Sequence, residues 1–334
     1  MAETQPTTQA HPGAGGRTMG RRRQPDESRS PAGERAPGRR RRRLNRDGRA
    51  AAVFLTPWCA GVVLITLGPL VASLYLSLTN YNLFNTPQWV GIANYIRMFT
   101  SDPQFTTSLK VTFIYVGVSV PILLTVALLL AMLLNRGLRG LGFYRTLFYI
   151  PTLLGSSVAI AVLWRQVFST GGIVNSVLSW FGIHGPSWLG DPGTALYTLV
   201  TLNAWTFGGT MVIFLAGLRQ IPEHLYQAAR VDGAGPLSRF WHITVPMLSP
   251  VILFNALLTL IRTFQSFTPA YIISGGSGAP ANSTLLYSLY LYQQGFVNYK
   301  MGYAAAMAWF LLFIIAGLTA VAFASSRFWV FYGE

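Results

Sequence analysis

The sequence predicts an all-α, polytopic membrane protein with six transmembrane helices. Of its 334 residues 51% are hydrophobic and only 10% are charged, whereas a soluble domain carries about a quarter charged residues. Long tracts hold no charged side chain at all, namely residues 50–96, 111–135, 192–218 and 301–326. Because about 20 apolar residues cross the hydrocarbon core as a helix, these tracts are long enough to span a membrane.

Hydropathy and the intervening turns divide the chain into six spans. Proline falls within or beside several of them, which membrane helices tolerate because neighbouring groups satisfy the freed carbonyls. Between the third and fourth spans, Ile173, Val177, Leu178 and Phe181 are spaced as in a short interfacial helix. The predicted spans are residues 51–78, 111–134, 143–164, 195–218, 251–273 and 303–325.

The first 49 residues differ from the rest. They hold thirteen arginines and five acidic residues, a net charge of +8, and no apolar run. Such a composition cannot bury a core, so we expect a disordered tail at 1–49 and a transmembrane domain at 50–334. The arginine run 39–43 could indicate nucleic acid, but beside a first span it indicates a cytoplasmic end that contacts anionic lipid. We therefore expect no nucleic-acid partner.

Charge also sets the predicted orientation. With the N-terminus inside, the cytoplasmic loops 135–145 and 219–250 and the C-terminal tail carry more arginine than the outer loops, as the positive-inside rule requires. We expect both termini in the cytoplasm. Cys59 is the one cysteine, so no disulfide or cysteine metal site is expected, and we interpret it as a small buried hydrophobe.

The loop 219–246 is the most informative segment of the chain. Pro222 favours the first position of a helix, Glu223 suits its first turn and Arg230 its last turn. Asp232 and Gly233 end it. The loop therefore contains a helix of about three turns over 222–231.

One face of that helix carries Leu225, Ala228 and Ala229 at i, i+3, i+4 spacing. Small alanines allow a partner to approach closely, so we expect this face to dock onto another protein. The other interpretation is an interfacial helix lying on lipid, but such helices favour bulky apolar and lysine-rich faces.

The loop also resembles a known motif, the EAA loop of permease subunits in bacterial ABC importers. That motif reads Glu-Ala-Ala, three residues, Gly, nine residues, Ile-x-Leu-Pro. Gln227 replaces its glutamate, with unknown effect, and Val245 replaces its leucine. The residues that match it are Ala228, Ala229, Gly233, Ile243 and Pro246.

Further segments extend the resemblance from about residue 52 to the end. They are similar to the carbohydrate-importer branch, the maltose- and glycerol-phosphate-type permeases in their first-subunit form. The segments are 74–79 (LYLSLT), 89–95 (WVGIANY), Gly275-Gly276, 282–284 (NST) and 302–306 (GYAAA).

The resemblance implies a type I ABC importer permease fold in a bacterial cytoplasmic membrane. It implies a second homologous permease, two ATPase subunits and an extracytoplasmic sugar-binding protein as partners. Coupling to the ATPase is then expected at Gln227, Ala228, Ala229, Asp232, Gly233 and Pro246.

The residues independently indicate that energy comes from another chain. Lys110 and Lys300 are the only lysines and neither follows a glycine, so no phosphate-binding Gly-x-x-x-x-Gly-Lys loop exists. We expect no catalytic residue, metal or cofactor, with ATP bound by partner subunits. The predicted spans hold no Asp, Glu or His, which argues against an intramembrane enzyme and against the alternative of a six-helix secondary carrier or channel for a small solute.

Arg262 is the one charge deep in a predicted span, where a guanidinium is costly unless it faces water or a partner. Gln265 follows one turn later. In the resembled permeases the matching positions contact sugar, and those matching Trp205 and Gly209 line the same cavity. The alternative is that Arg262 pairs with the partner permease. Three tyrosines are expected to anchor at the outer interface rather than bind sugar: Tyr287, Tyr290 and Tyr292.

Overall fold

The computed structural model describes residues 51–136, 140–155 and 157–331. The predicted tail 1–49 and Arg139 of the first inner loop lie outside these residues. Two compact units divide the chain, one ending at Gly61 and the other beginning at Val62. The packing described below belongs to the second unit.

The described residues form helices joined by short breaks and by longer connections such as residues 78–92 and 275–286. The first seven are α1 (Ala51–Ser77), α2 (Ala93–Thr100), α3 (Pro103–Asn135), α4 (Leu141–Leu154), α5 (Val158–Val167), α6 (Ile173–Trp180) and α7 (Pro192–Trp205). The next six are α8 (Gly208–Gln220), α9 (Glu223–Val231), α10 (Pro236–Phe264), α11 (Thr268–Ser274), α12 (Tyr287–Tyr292) and α13 (Met301–Trp329). The helix predicted near Ile173 is therefore present as α6.

Four of these helices, α1, α3, α10 and α13, are long and apolar enough to cross a membrane. Two helix pairs are long and apolar enough only when taken together: α4 and α5 are bent by 98°, and α7 and α8 by 46°. Counting each pair as one gives six spans. No β-strand occurs in the described ranges, where Thr79 and Trp89 form an isolated bridge. The prediction of an all-α membrane protein with six spans is confirmed.

Helix α3 organises the packing, because it contacts α7, α8, α10 and α12. Asp102 caps its N-terminus by accepting a hydrogen bond from the Phe105 amide at 3.1 Å. Its first half joins one apolar cluster through Phe105 and Tyr115. Its second half joins another cluster through Ala127 and Leu134. One long helix thus connects both parts of the core.

The fifth span differs from its prediction. It was expected at 251–273, but α10 begins at Pro236, passes through a π-helical turn at Phe240–Thr244, and ends at Phe264. The chain then breaks before α11, where Pro269 occupies the first turn. A proline supplies no amide for a continuing helix but suits a helix start, so a new helix begins there.

The outer tyrosines also differ from their prediction. Tyr287 and Tyr290 are buried in the core and not at a lipid interface. The Tyr287 hydroxyl donates to the Met307 carbonyl at 2.8 Å, and Tyr290 donates to Asp102. Burial, and next the carboxylate of Asp102, raise the pKa of Tyr290 above its usual value. The prediction for Cys59 is wrong too, because this residue is exposed.

Candidate functional site

Three helix breaks in the described residues meet at one cavity of about 430 Å³. The α4–α5 break contributes Gly155, the α7–α8 break contributes Thr206, and the α10–α11 break contributes Ser266 and Phe267. Irregular backbone at membrane depth is tolerated where it lines a water-filled cavity, because water satisfies its polar groups. Discontinuous helices of this kind surround the binding sites of many transporters. We call this space the bend cavity.

Arg262 and Gln265 both line the bend cavity, as the sequence predicted for a shared site. Arg262 lies in the last turn of α10, where the helix dipole favours a cation. It therefore sits at a helix end and not in the middle of a continuous span. Gln265 is the first residue past that helix, and its backbone amide donates a hydrogen bond to the Ile261 carbonyl at 3.3 Å. Both side chains are exposed.

The other two predicted site residues lie outside the lining of the bend cavity. Trp205 packs against Trp164 with ring centroids 5.7 Å apart. Gly209 donates its amide to Thr152 Oγ1 at 2.9 Å. Both residues therefore support the α7–α8 break structurally.

The sequence reasoning missed several polar residues of the cavity. Asn203 Nδ2 donates to the Tyr115 hydroxyl at 3.1 Å. The other amide atom, Asn203 Oδ1, is buried and has no hydrogen-bond partner in the described structure. Polar residues inside apolar tracts were the available signal. The missed polar lining residues are Tyr115, Thr152, Asn203, Thr206, Ser266 and Thr268.

Close backbone approach holds two of the breaks together. Thr152 Oγ1 donates to the Thr206 carbonyl at 3.1 Å and also accepts the Gly209 amide. A Cβ atom at Gly208 would overlap the Phe148 carbonyl oxygen, and one at Gly155 would overlap the Thr206 side chain. Glycine at these two positions therefore allows α4 to lie against the α7–α8 break.

The predicted loop helix is present as α9, which begins one residue later than expected because Pro222 is its N-cap. Glu223 lies in the first turn and Arg230 in the last. Gly233 follows with φ +77°, and two bonds close the helix end. The Gly233 amide donates to the Arg230 carbonyl at 3.1 Å and the Ala234 amide to the Ala229 carbonyl at 2.8 Å. This is a Schellman ending, which requires a left-handed residue at Gly233.

The two faces of α9 have different surroundings. Leu225 and Tyr226 are partly buried and pack against the cluster that contains Leu134 and Leu248. Leu225 therefore faces its own chain, so its predicted place on the docking face is wrong. The exposed stripe of α9 comprises Glu223, His224, Gln227, Ala228 and Val231, while Ala229 is half-buried beside it.

The last motif residue, Pro246, lies in α10 and not in a loop that leads to a span. It follows the π-helical turn, and nearby Thr244 forms a 3.0 Å hydrogen bond with the Tyr226 hydroxyl of α9. Asp232 is the exposed C-cap of α9. The motif that resembles the EAA loop thus extends over α9 and α10, which are joined by this hydrogen bond.

A multi-pass helical fold, a polar cavity at helix breaks and an exposed loop helix define a membrane transport protein. Residues 103–329 match the family described as binding-protein-dependent transport system inner membrane component. The chain belongs to that family. It is thus a multi-pass inner-membrane permease component of an ABC importer that works with a substrate-binding protein, and a separate subunit hydrolyses ATP.

Similar proteins agree with this assignment along most of the chain. The probable ABC transporter permease protein YesP of Bacillus subtilis is 47% identical, over 87% of this chain and 94% of its own. The lactose transport system permease protein LacF of Rhizobium radiobacter is 37% identical, over 82% and 93%. The sn-glycerol-3-phosphate transport system permease protein UgpA of Agrobacterium fabrum is 33% identical, over 84% and 96%.

The fold also matches a solved structure. A chain in the crystal structure of a bacterial alginate ABC transporter, in complex with an alginate pentasaccharide-bound periplasmic protein, superposes with a TM-score of 0.73. The match covers 86% of this chain and 96% of that chain at 22% identity. This likeness shows the type I ABC importer permease fold.

Proposed function

We propose that the chain moves a saccharide or a closely related polar solute across the cytoplasmic membrane, and that the solute passes through the bend cavity. The observation that carries the proposal is the meeting of three helix breaks at a polar cavity that contains Arg262 and Gln265. Relatives named for lactose, arabinooligosaccharides and sn-glycerol-3-phosphate support a solute rich in hydroxyl groups.

The chemistry of the cavity suits such a solute. Arg262 offers five N–H donors in a planar fork, and Gln265 offers both a donor and an acceptor. Asn203 also lines the cavity, and its buried Oδ1 has no hydrogen-bond partner in the described structure. Phe267 and Pro269 line the cavity and are partly exposed, so they supply apolar surface for the sugar ring. A few placed polar groups on an apolar wall are typical of small-molecule sites.

We further propose that α9 couples the chain to its ATPase. Its stripe from Glu223 to Val231 is exposed, and Val231 is 88% accessible although it is apolar. An apolar side chain this open is consistent with a partner that covers it. We place Gln227, Ala228, Ala229, Asp232 and Gly233 at or beside that contact, and Pro246 in the α10 start that supports it.

The complete transporter then contains a second homologous permease, two ATPase subunits and an extracytoplasmic sugar-binding protein. With α9 facing the ATPases, both termini of this chain lie in the cytoplasm. The second permease closes the open side of the bend cavity, so Arg262 has two partners to be tested, the solute and that subunit.

The test measures uptake by the assembled transporter in proteoliposomes, together with its substrate-binding protein. Lactose, an arabinooligosaccharide and sn-glycerol-3-phosphate are supplied in separate assays. Arg262→Gln and Gln265→Ala are expected to raise the KM for uptake about tenfold or more and to change the preference among solutes. Arg165→Gln, an exposed arginine in the last turn of α5, is the control and should leave both unchanged.

If both cavity variants kept the KM and the solute preference of the wild type, the bend cavity would not select the solute. If Arg262→Gln instead weakened assembly with the second permease while Gln265→Ala alone altered KM, Arg262 would belong to the subunit contact. Accumulation of solute by this chain alone in liposomes, without an ATPase, would favour a secondary carrier and contradict the proposal.

A further inference from the structure

A second cavity, of about 300 Å³, lies where the coupling helix joins the membrane helices. It is formed by the end of α3, the end of α8, one side of α9 and the start of α10. We call it the arginine cavity, because its lining includes Arg136, Arg230 and Arg239. The complete lining is Met132, Asn135, Arg136, Leu218, Tyr226, Arg230, Pro236, Arg239, Phe240 and Thr244.

The charges of this cavity are unbalanced. No acidic side chain is among its described lining residues. Glu223 and Asp232, the acids of α9 and its C-cap, lie outside that lining. Three guanidinium groups around one space repel one another. Arg136 and Arg230 are exposed, so water screens them, whereas Arg239 is partly buried and feels the repulsion more strongly. An anion in the cavity removes that repulsion.

Helix-end electrostatics explains only part of the arrangement. Arg136 is the C-cap of α3, and Arg230 lies in the last turn of α9, where a cation is favoured. Arg239 has no comparable explanation, since it lies near the start of the long helix α10. Its side chain is partly buried, and its Nε atom is fully buried with no hydrogen-bond partner in the described structure. A buried donor of this kind calls for an acceptor, and the described residues do not supply one.

We propose that the arginine cavity binds a phosphate group. Guanidinium groups match phosphate oxygens in paired hydrogen bonds. Tyr226 and Asn135 offer further donors from the lining. The phosphate could belong to an anionic phospholipid headgroup or to a small soluble phosphate compound, and both present the same chemistry to the arginines.

Two observations favour the lipid source. Met132, Leu218 and Phe240 give the cavity an apolar side. Next to it on α10, Leu237 is 71% exposed and Trp241 is 59% exposed. Basic pockets between membrane helices on the cytoplasmic side, flanked by apolar surface, are typical of headgroup sites. The bound group would join α9 to α10, in addition to the 3.0 Å bond between Tyr226 and Thr244.

The test uses the full chain, purified in detergent and stripped of lipid. Native mass spectrometry measures the retention of phosphatidylglycerol against phosphatidylcholine, and thermal unfolding in detergent measures the effect of inorganic phosphate. The variants are Arg239→Gln alone and with Arg136→Gln. Arg219→Gln is the matched control, because Arg219 is an exposed arginine in the last turn of α8 and outside the cavity lining. The basic tail is common to all of these chains, so its contribution cancels.

We expect the double variant to bind the preferred anion at least tenfold more weakly than wild type and than Arg219→Gln. Arg239→Lys keeps the positive charge but loses the planar guanidinium group. Its anion affinity should lie between those of the wild type and the double variant, which would show that the loss of binding is not a folding failure. Selective retention of phosphatidylglycerol identifies a lipid. A phosphate-dependent rise in the unfolding temperature, absent from the double variant, identifies a soluble phosphate compound.

The proposal is overturned if wild type, the double variant and Arg219→Gln bind equally in both arms. It is also overturned if the double variant keeps its anion binding but loses co-purification with the ATPase, since the arginines would then serve a protein contact. Neither outcome bears on the bend cavity, which shares no lining residue with the arginine cavity.

Discussion

The Tyr290 hydroxyl lies 2.6 Å from Asp102 Oδ2 and 2.8 Å from Oδ1, so α12 donates a hydrogen bond to the carboxylate that caps α3. Tyr303 of α13 donates to the same carboxylate at 2.6 Å, and the Arg97 guanidinium lies over the Tyr303 ring at 5.1 Å. Three helices are thereby joined at one charged group. Ser288 of α12 in turn donates to the Phe264 carbonyl, at the end of α10 beside the bend cavity.

Tyr290→Phe is expected to lower the thermal unfolding temperature of the detergent-solubilised chain. The change removes a hydrogen bond to a charged group from a buried site, which is worth about 1.5–3 kcal/mol. Asp102→Ala should lower it further, because both tyrosines lose their acceptor. Asp191→Ala is the control, since Asp191 also caps a helix, α7, but is exposed. If Asp102→Ala and Asp191→Ala lowered the unfolding temperature equally, helix capping alone would explain the loss and the tyrosine hydrogen bonds would contribute nothing measurable.

Gly208→Ala is expected to impair transport by forcing α4 away from the α7–α8 break. The added methyl group overlaps a backbone oxygen, Phe148 O, which cannot move aside as a flexible side chain can. We expect a loss of about 1–3 kcal/mol in stability, as for other overpacked positions, together with a lower uptake rate.

Gly117→Ala in the middle of α3 is the matched control for Gly208→Ala. A Cβ atom there meets nothing within 4 Å, and alanine favours a helix more than glycine does. If both variants had the uptake rate and unfolding temperature of the wild type, the close approach of α4 at Gly208 would not be required for transport or stability.

Gly233→Asp is expected to abolish ATP-driven uptake while the protein still inserts into the membrane. A Cβ atom at Gly233 meets nothing within 4 Å in the described structure, so we attribute the expected loss of uptake to a conflict with a partner subunit. Gly233→Ala shares the strain of a positive φ, about 1 kcal/mol, but adds little bulk. Uptake and ATPase co-purification are measured for both. Equal loss in both variants would assign the effect to the helix ending and not to docking.

Asn203→Ala is expected to raise the KM for uptake with little change in membrane insertion, because it removes a polar side chain that lines the bend cavity and whose Oδ1 has no hydrogen-bond partner in the described structure. Tyr115→Phe is its comparison: it removes the hydroxyl group that Asn203 contacts but leaves the asparagine in place. We expect a smaller rise in KM for Tyr115→Phe. A larger effect of Tyr115→Phe than of Asn203→Ala would mean that the tyrosine hydroxyl, and not the amide, contacts the solute.

Local signals predicted α9 well. Proline, a first-turn acid, a last-turn arginine and a glycine end act within a few residues of one another, so its bounds could be placed within one residue. The orientation of its face was harder to predict. Leu225 is turned inward by the core formed with α3 and α10, and helix periodicity alone cannot identify which neighbour an apolar face meets.

The bend cavity was predicted only in part for a related reason. Arg262 could be identified because a lone charge in an apolar tract is conspicuous. The breaks at Gly155, Thr206 and Ser266 could not, since tertiary packing decides whether such residues interrupt a membrane helix. Tyr290 was misplaced because its partner, Asp102, is 188 residues away in the sequence.

The inward face of α9 has a mechanical consequence. Leu225 and Tyr226 share one apolar cluster with Leu134 of α3, Leu218 of α8 and Leu248 of α10. A displacement of α9 is expected to carry these helix ends with it, because a closely packed core has low compressibility and transmits strain. If a partner subunit moves α9, as proposed above, the ends of α3, α8 and α10 are therefore expected to move with it as a rigid body.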